Sequence, residues 1–139
     1  MEPDIIKTEP NREEIFNQAE SIVIKVGSSL IVEDEFGAIR KEWFASFIED
    51  VIDLRKQGKT VIIVSSGAIN LGRKILNLKD NELTLEQEQA AASVGQIELS
   101  KEYQEHFKFK GLICSQILIT LDDFTNRRRY LNCKSTLKT

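Results

Sequence analysis

Short, nearly uninterrupted runs of β-branched and aliphatic residues, separated by helix-like segments, constrain the fold of this chain more than any other feature. Residues 21–26 read SIVIKV, residues 60–64 read TVIIV, and residues 112–119 form a third apolar run. Continuous rather than alternating apolar character is typical of strands that are buried on both faces of a parallel sheet. The pattern therefore predicts an α/β fold of three layers, with a mainly parallel sheet between helices.

Helical patterns occupy the segments around these runs. Asn11 and Glu14 form a capping-box pattern for a short helix that ends near residue 20. Residues 41–57 carry one apolar stripe at spacings of three and four, and Gly58 follows as a terminator. The connection over residues 27–40 is predicted as a loop with a turn at Gly37. The other predicted helices start at Gly67, span residues 84–107 and span residues 125–139.

The long predicted helix has an unusually small middle. Residues 90–95 read AAASVG. Small residues allow a neighbouring helix to approach closely, which offsets the cost of a glycine inside a helix. We therefore predict a close helix–helix contact at this segment.

Composition excludes several classes of protein. The chain has 139 residues, of which 41% are apolar and 29% charged, as in an ordinary single globular domain. Its net charge of −3 argues against a nucleic-acid-binding surface. No apolar run is long enough to cross a membrane, and the acidic N-terminus lacks a signal-peptide pattern. Two isolated cysteines, Cys114 and Cys133, form no metal or disulfide pattern and fit a cytoplasmic location.

The end of the first predicted strand carries a candidate phosphate site. Lys25 lies inside the apolar strand, and Gly27 and Ser28 follow it directly. A glycine lets the backbone approach a ligand closely, and a lysine can balance phosphate charge. The alternative is a lysine that extends to solvent at a strand edge before an ordinary turn. The spacing of these residues does not by itself distinguish a phosphate site from a solvent-exposed lysine.

A similar group of residues follows the second predicted strand. Ser66 and Gly67 stand between the strand and a helix, where free amides favour anions. The alternative is simple helix capping by a serine. Because parallel strands place their carboxyl ends on one sheet edge, the two groups are predicted to face one cleft.

The third strand end carries a weaker signal. Asp122 and Asp123 there could hold a metal or act as a base, but capping of the last helix is the favoured interpretation. Residues 127–129 are three consecutive arginines, for which a solvated helical face is the default. His106, the single histidine, is predicted to be a surface residue rather than a catalytic base.

Two familiar nucleotide motifs are not satisfied. Residues 67–74 read GAINLGRK, in which Arg73 stands where a P-loop requires lysine, and no serine or threonine follows Lys74. The chain also contains no G-x-G-x-x-G, so a dinucleotide site of the Rossmann type is unsupported.

Four segments together resemble a known family. They are residues 24–29 (IKVGSS), 64–69 (VSSGAI), 89–96 (QAAASVGQ), and 129–132 (RYLN) with Thr136 and Leu137. In this order they are similar to the N-terminal half of the glutamate 5-kinases, a branch of the amino acid kinase family. The resemblance runs from about residue 12 to the C-terminus.

The resemblance implies an activity and roles for the strand-end residues. The family transfers the γ-phosphoryl group of ATP, with Mg²⁺, to the side-chain carboxylate of L-glutamate, the first step of proline biosynthesis. By similarity, Lys25 stabilises charge on the transferred group, and Gly27 and Ser28 hold the ATP phosphates. Ser66 and Gly67 help to hold glutamate.

The resemblance also implies that the kinase domain is incomplete. We expect residues 1–20 to be a lead-in with a short helix and residues 21–139 to be the N-terminal part of the domain, through truncation, a split gene or a decaying one. The isolated chain is then expected to be inactive. Two alternatives remain: a binding module that complements a separately encoded C-terminal half or forms a homo-oligomer, and a phosphate-ligand binder outside the family.

Overall fold

The structure, a computed structural model, describes residues 11–33, 38–79 and 82–138. The predictions for residues 1–10 and for the turn at Gly37 concern residues outside these ranges. The elements are the helices α1 (Arg12–Gln18), α2 (Ser28–Ile31), α3 (Lys41–Lys56), α4 (Ala68–Ile75), α5 (Leu85–Phe109), α6 (Leu121–Thr125) and α7 (Arg127–Lys138), and the strands β1 (Ser21–Val26) and β2 (Thr60–Ser65). The predicted α/β class is confirmed.

The two strands form a parallel pair, as predicted. Ser21 lies opposite Thr60 at one end, and Val26 lies opposite Ser65 at the other. Ile24 and Ile63 on the inner face pack against the hydrophobic core. On the outer face, Val23 and Val64 are 64% and 50% exposed. The prediction that both faces are buried is therefore wrong for the described residues, because their helices cover only the inner face.

The predicted third strand is also wrong. Residues 112–119 have no strand pairing in the described part of the chain. Leu112 and Cys114 pack against the core, whereas Ile113 is 99% exposed. An apolar run favours burial, but a strand also needs a neighbour that accepts its backbone hydrogen bonds. No described segment supplies that neighbour.

The core lies between the inner face of the sheet and the apolar stripe of α3. The stripe buries Phe44, Phe47, Ile48 and Val51, which confirms the predicted helix face. The helix ends at Lys56, and Gly58 adopts a left-handed backbone conformation with φ of +80°. That conformation is the expected one for a glycine terminator.

A short helix was missed in the first connection. Residues 28–31 form α2 rather than a loop, and Ile31 and Val32 are buried beneath it. An isolated antiparallel bridge then joins Val32 to Ile39. The helix has only four residues, which is too short to give a periodic pattern in the sequence.

The small segment of α5 packs closely on α4, as predicted. A methyl group on Gly95 would lie 2.6 Å from the backbone nitrogen of Gly72 and would overlap the carbonyl oxygen of Ala68. A methyl group on Gly72 would overlap the backbone of Ala91. The glycines therefore let the two helix backbones touch and fix how α4 lies across α5.

The predicted C-terminal helix is present as α7, and the structure adds a short helix, α6, before it. α6 ends at Thr125, and the Asn126 side chain accepts hydrogen bonds from the amides of Arg128 and Arg129 at the start of α7. A side-chain acceptor at this position is a typical helix N-cap. The asparagine therefore separates the two helices.

Lys59 makes an unexpected connection between α1 and β2. Its side chain is 6% exposed, and its Nζ donates to the carbonyl oxygens of Phe16, Asn17 and Ala19 at 3.0, 3.0 and 2.7 Å. The last carbonyls of a helix have no partner within the helix, and a cation there also meets the negative end of the helix dipole. Lys59 therefore caps the C-terminal end of α1.

Replacing Lys59 with methionine is expected to detach α1 and to lower the free energy of unfolding by about 2 kcal/mol. The helix has no buried residue of its own, so little else holds it in place. Hydrogen exchange of the α1 amides measures the effect directly. Lys56→Met is the matched control, because Lys56 is exposed and pairs only with Asp53 on the same helix. Unchanged exchange in α1 of the Lys59 variant contradicts the prediction.

Candidate active site

The ends of the two strands are joined by hydrogen bonds. The carbonyl oxygen of Val26 accepts from the backbone nitrogen of Ser66 at 3.1 Å and from its Oγ at 3.2 Å. These contacts continue the parallel pairing one residue beyond β2. Both predicted strand-end groups therefore lie on one edge of the sheet.

Gly67 lies where the two groups come close together. It precedes α4 with φ of +114°, a conformation that side-chain-bearing residues rarely adopt. A Cβ atom on Gly67 would lie 3.5 Å from the Cα and 3.6 Å from the Cβ of Ser28. Gly67 is therefore required for its backbone conformation, and a side chain at this position would contact the first residue of α2.

An open cleft of about 800 Å³ lies beside Gly67 and Ser28. Three of the predicted site residues line it, namely Ser28, Ser66 and Gly67. Gly27 precedes them as the N-cap of α2, and a Cβ atom there would meet nothing within 4 Å. The backbone at the end of β1 is thus open to close approach by a ligand, and the first amides of a helix have no partner within it.

Lys25 lies next to the cleft but does not line it. Its side chain is exposed on the outer face of β1, opposite Val64 of β2. An exposed lysine on that face needs no buried partner, which explains how the strand accommodates it. The structure thus brings together Ser28, Ser66 and Gly67, and it leaves Lys25 on the adjoining face.

Several charged and polar residues of the cleft were missed at the sequence level. Asn70 and Arg73 of α4 line it, together with Glu82 before α5 and Glu88 in the first turn of α5. A helical signal was present for two of them, since Asn70 and Arg73 follow Gly67 at intervals of three residues. Glu82 and Glu88 gave no signal, because their position depends on how α5 packs on α4.

Asp123 has a capping role, but it caps the short helix α6 and not the last helix, for which the sequence favoured it. Asp123 accepts from the backbone nitrogen of Thr120 at 2.7 Å and from its Oγ1 at 2.8 Å. Both hydrogen bonds lower the pKa of Asp123, and the bond from the backbone nitrogen has the larger effect. Asp123 therefore closes a capping box at the start of α6.

Two other sequence candidates are accounted for by structural contacts. The ring of His106 packs edge-on against Phe44 with centroids 5.1 Å apart, and Nδ1 lies 2.9 Å from the carbonyl oxygen of Glu102. His106 is therefore half-buried rather than a surface residue. Residues 127–129 are exposed on α7, as expected for a solvated face.

A metal site is not formed by the residues that the structure describes. Among them, no three His, Cys, Asp or Glu side chains converge in a way that could hold a metal ion. We therefore derive no step through a metal ion held by the described side chains.

No helix within residues 11–33, 38–79 and 82–138 has the length and apolarity needed to cross a bilayer.

Comparison with known proteins is consistent with the cleft geometry. The sequence profile of the amino acid kinase family matches residues 20–139. The chain is 53% identical over 121 residues to the glutamate 5-kinase of Ruegeria sp. (strain TM1040), covering 87% of this chain and 33% of the relative. It is 52% identical over 120 residues to the glutamate 5-kinase of Roseobacter denitrificans, covering 86% of this chain and 32% of the relative. It is 46% identical over 124 residues to the glutamate 5-kinase of Caulobacter vibrioides (strain NA1000 / CB15N), covering 89% of this chain and 33% of the relative. The chain thus spans about a third of the length of these relatives.

Proposed function

The chain belongs to the amino acid kinase family, and from this premise we propose that it supplies one wall of a glutamate 5-kinase cleft. The reaction is transfer of the γ-phosphoryl group of ATP to the side-chain carboxylate of L-glutamate. The observation that carries the proposal is that Ser28, Ser66 and Gly67 line one open cleft, because both strand ends then contribute to a single candidate site. The similarity to three glutamate 5-kinases supports the choice of substrate.

The physical task in this reaction is to hold two anions together. When bound, ATP supplies the phosphoryl group, and a carboxylate oxygen of glutamate forms the new bond to phosphorus as the bond to ADP breaks. Catalysis of such a transfer is mostly positioning and charge stabilisation. The product is an acyl phosphate.

Each predicted residue has a role consistent with its position. Backbone amides near Gly27 and Ser28 bind the ATP phosphates at the open end of β1. Ser66 and Gly67 orient the glutamate carboxylate at the start of α4. Lys25 reaches the transferred group on its flexible four-carbon side chain from the outer face and stabilises its charge.

Catalysis requires more protein than this chain provides in isolation. The outer face of the sheet bears Val23 and Val64, both at least half exposed, and both strand edges lack a partner among the described residues. Parallel sheets are ordinarily covered on both faces. We therefore propose that this face is covered by a complementing segment of the kind that the relatives carry, with self-association into a homo-oligomer as the alternative. The two cysteines are free, which supports a reducing cytoplasmic location.

Co-expression with the unmatched part of the Ruegeria glutamate 5-kinase is expected to give activity. Purified protein, ATP, Mg²⁺ and glutamate, with hydroxylamine to trap the acyl phosphate, should then yield glutamyl hydroxamate. The chain alone should yield none, because one wall of the cleft is missing. The unmatched part without this chain is the control.

Two results contradict this proposal. Hydroxamate formed by the chain alone shows that one wall is sufficient. A stable monomer that neither binds the Ruegeria segment nor gains activity from it removes the support for a complementing module.

A further inference from the structure

A ridge of small and apolar residues on α5 runs past the end of β2. Its members recur every four residues, a spacing that forms one ridge along a helix. They are Ala91, Gly95, Leu99, Tyr103 and Phe107, of which all but Tyr103 are buried. Tyr103 is half-buried and is the one member of this ridge with a polar side chain. A phenylalanine would fill a similar space, so the hydroxyl group needs an explanation of its own.

The hydroxyl group of Tyr103 reaches the residue that precedes the cleft. Its Oη donates a hydrogen bond to Oγ of Ser65 at 3.1 Å. Ser65 is the last residue of β2 and is followed directly by Ser66, which lines the cleft. The Oγ of Ser65 in turn donates a longer hydrogen bond, of 3.4 Å, to the carbonyl oxygen of Ser66. A chain of hydrogen bonds therefore runs from α5 to the backbone of a cleft residue.

Aromatic neighbours hold the ring of Tyr103 in place. Its centroid lies 4.7 Å from that of Phe44, which is fully buried, and 6.4 Å from that of Phe107. Because the ring is packed between other rings, little conformational freedom is lost when its hydroxyl group binds Ser65. Burial raises the pKa of the Tyr103 phenol, so the hydroxyl group remains a donor at neutral pH.

The same helix also contacts the far side of the cleft segment. A methyl group on Gly95 would overlap the carbonyl oxygen of Ala68, the residue after Gly67. Ser65 and Ala68 stand on either side of Ser66 and Gly67 in the chain, and α5 contacts both of them. One rigid helix thus holds both ends of the segment that the second strand contributes to the cleft.

We propose that Tyr103 is a positioning residue, whose hydrogen bond to Ser65 sets the orientation in which Ser66 and Gly67 face the cleft. The inference rests on the proposed function, in which these two residues orient the acceptor carboxylate. Tyr103 does not line the cleft itself, so it acts through Ser65. Small displacements of a positioned group reduce the efficiency of a reaction that depends on orientation.

Kinetics of the complemented enzyme test this role. Tyr103→Phe keeps the ring and removes only the hydroxyl group. We expect the KM for glutamate to rise about fivefold, the effect of one neutral hydrogen bond, and the KM for ATP to remain unchanged. A loss of stability alone would reduce the amount of active complex and leave both KM values as they were. Tyr130→Phe is the matched control, because Tyr130 is the other tyrosine of the chain and is exposed on α7.

Variants of Ser65 show whether Tyr103 acts through this residue. Ser65→Ala is expected to raise the KM for glutamate as much as Tyr103→Phe does, and the double variant should raise it no further. Ser65→Thr retains an Oγ atom and is expected to restore the KM of the unaltered complex. Additive effects of the two substitutions, or a Ser65→Thr complex no better than Ser65→Ala, overturn the assignment.

Hydrogen exchange of the chain alone gives a measurement that is independent of catalysis. The amide of Ser66, which donates to the carbonyl oxygen of Val26, should exchange about fivefold faster in Tyr103→Phe. The amide of Thr60, which donates to the carbonyl oxygen of Glu20 at the other end of the strand pair, should be unchanged. Equal acceleration at both ends indicates a general loss of stability and overturns the proposal.

The two proposals can fail separately. Faster exchange confined to Ser66, without any glutamyl hydroxamate from the complemented enzyme, contradicts the phosphoryl-transfer function and supports positioning by Tyr103. Hydroxamate formation with a glutamate KM that Tyr103→Phe does not change contradicts the positioning role and supports the function.

Discussion

Gly95→Ala is expected to lower the free energy of unfolding by about 3 kcal/mol, although alanine is the better helix former. Helix propensity favours the substitution by about 1 kcal/mol. The added methyl group, however, would overlap the carbonyl oxygen of Ala68 and lie 2.6 Å from the nitrogen of Gly72. Backbone atoms cannot move aside as a flexible side chain can, so the helices must separate. Overpacking therefore dominates the propensity gain.

Urea denaturation monitored by circular dichroism measures the difference. Gly27→Ala is the matched control, because a Cβ atom at Gly27 meets nothing within 4 Å and its φ of −74° suits any residue. The control should unfold at the same urea concentration as the unaltered chain. A Gly95→Ala chain as stable as this control contradicts the proposed close contact between α4 and α5.

The same substitution is expected to disturb the cleft. Ala68, whose carbonyl meets Gly95, directly follows Gly67. Separation of the helices therefore shifts the residue that places the second strand end against Ser28. Stability and the geometry of the site are coupled through one glycine.

Lys25→Ala is expected to reduce the rate of phosphoryl transfer by about 10²- to 10³-fold in the complemented enzyme. The lysine is proposed to stabilise charge that develops on the transferred group, and a methyl group cannot do so. Its exposed position on β1 means that folding does not depend on it. The hydroxamate assay on complexes of equal stability measures the effect.

Lys101→Ala is the control for surface charge, because Lys101 is exposed on α5 and does not line the cleft. Its rate should equal that of the unaltered complex. Partial recovery by Lys25→Arg supports a role for the positive charge. A Lys25→Ala complex with the full rate excludes Lys25 from the reaction.

Local sequence patterns predicted the elements whose signals are contained within one segment. The capping box of Asn11 and Glu14, the apolar stripe of α3 and the left-handed Gly58 were all predicted and confirmed. The small segment of α5 also gave the correct expectation of a close helix contact. In each case a few neighbouring residues determine the conformation through caps, side-chain spacing or backbone freedom.

One prediction that required a distant partner failed, and one short local element was missed. Residues 112–119 have the composition of a strand but no pairing partner among the described segments. Residues 27–40 contain a four-residue helix that periodicity cannot detect. The hydrogen bonds of Lys59 to carbonyl groups about 40 residues earlier in the chain were not predicted.

The sequence by itself determined the α/β class, the parallel pair of strands and the identity of Gly27, Ser28, Ser66 and Gly67 as residues at strand ends. Tertiary structure alone decided that Gly67, Ser28, Arg73 and Glu88 line one cleft and that Lys25 lies on the uncovered outer face. The physical reason is the distance along the chain over which each interaction acts. Propensity and capping act within a few residues, whereas the cleft is set by the close approach of α4 and α5, a contact between backbones that no single segment specifies.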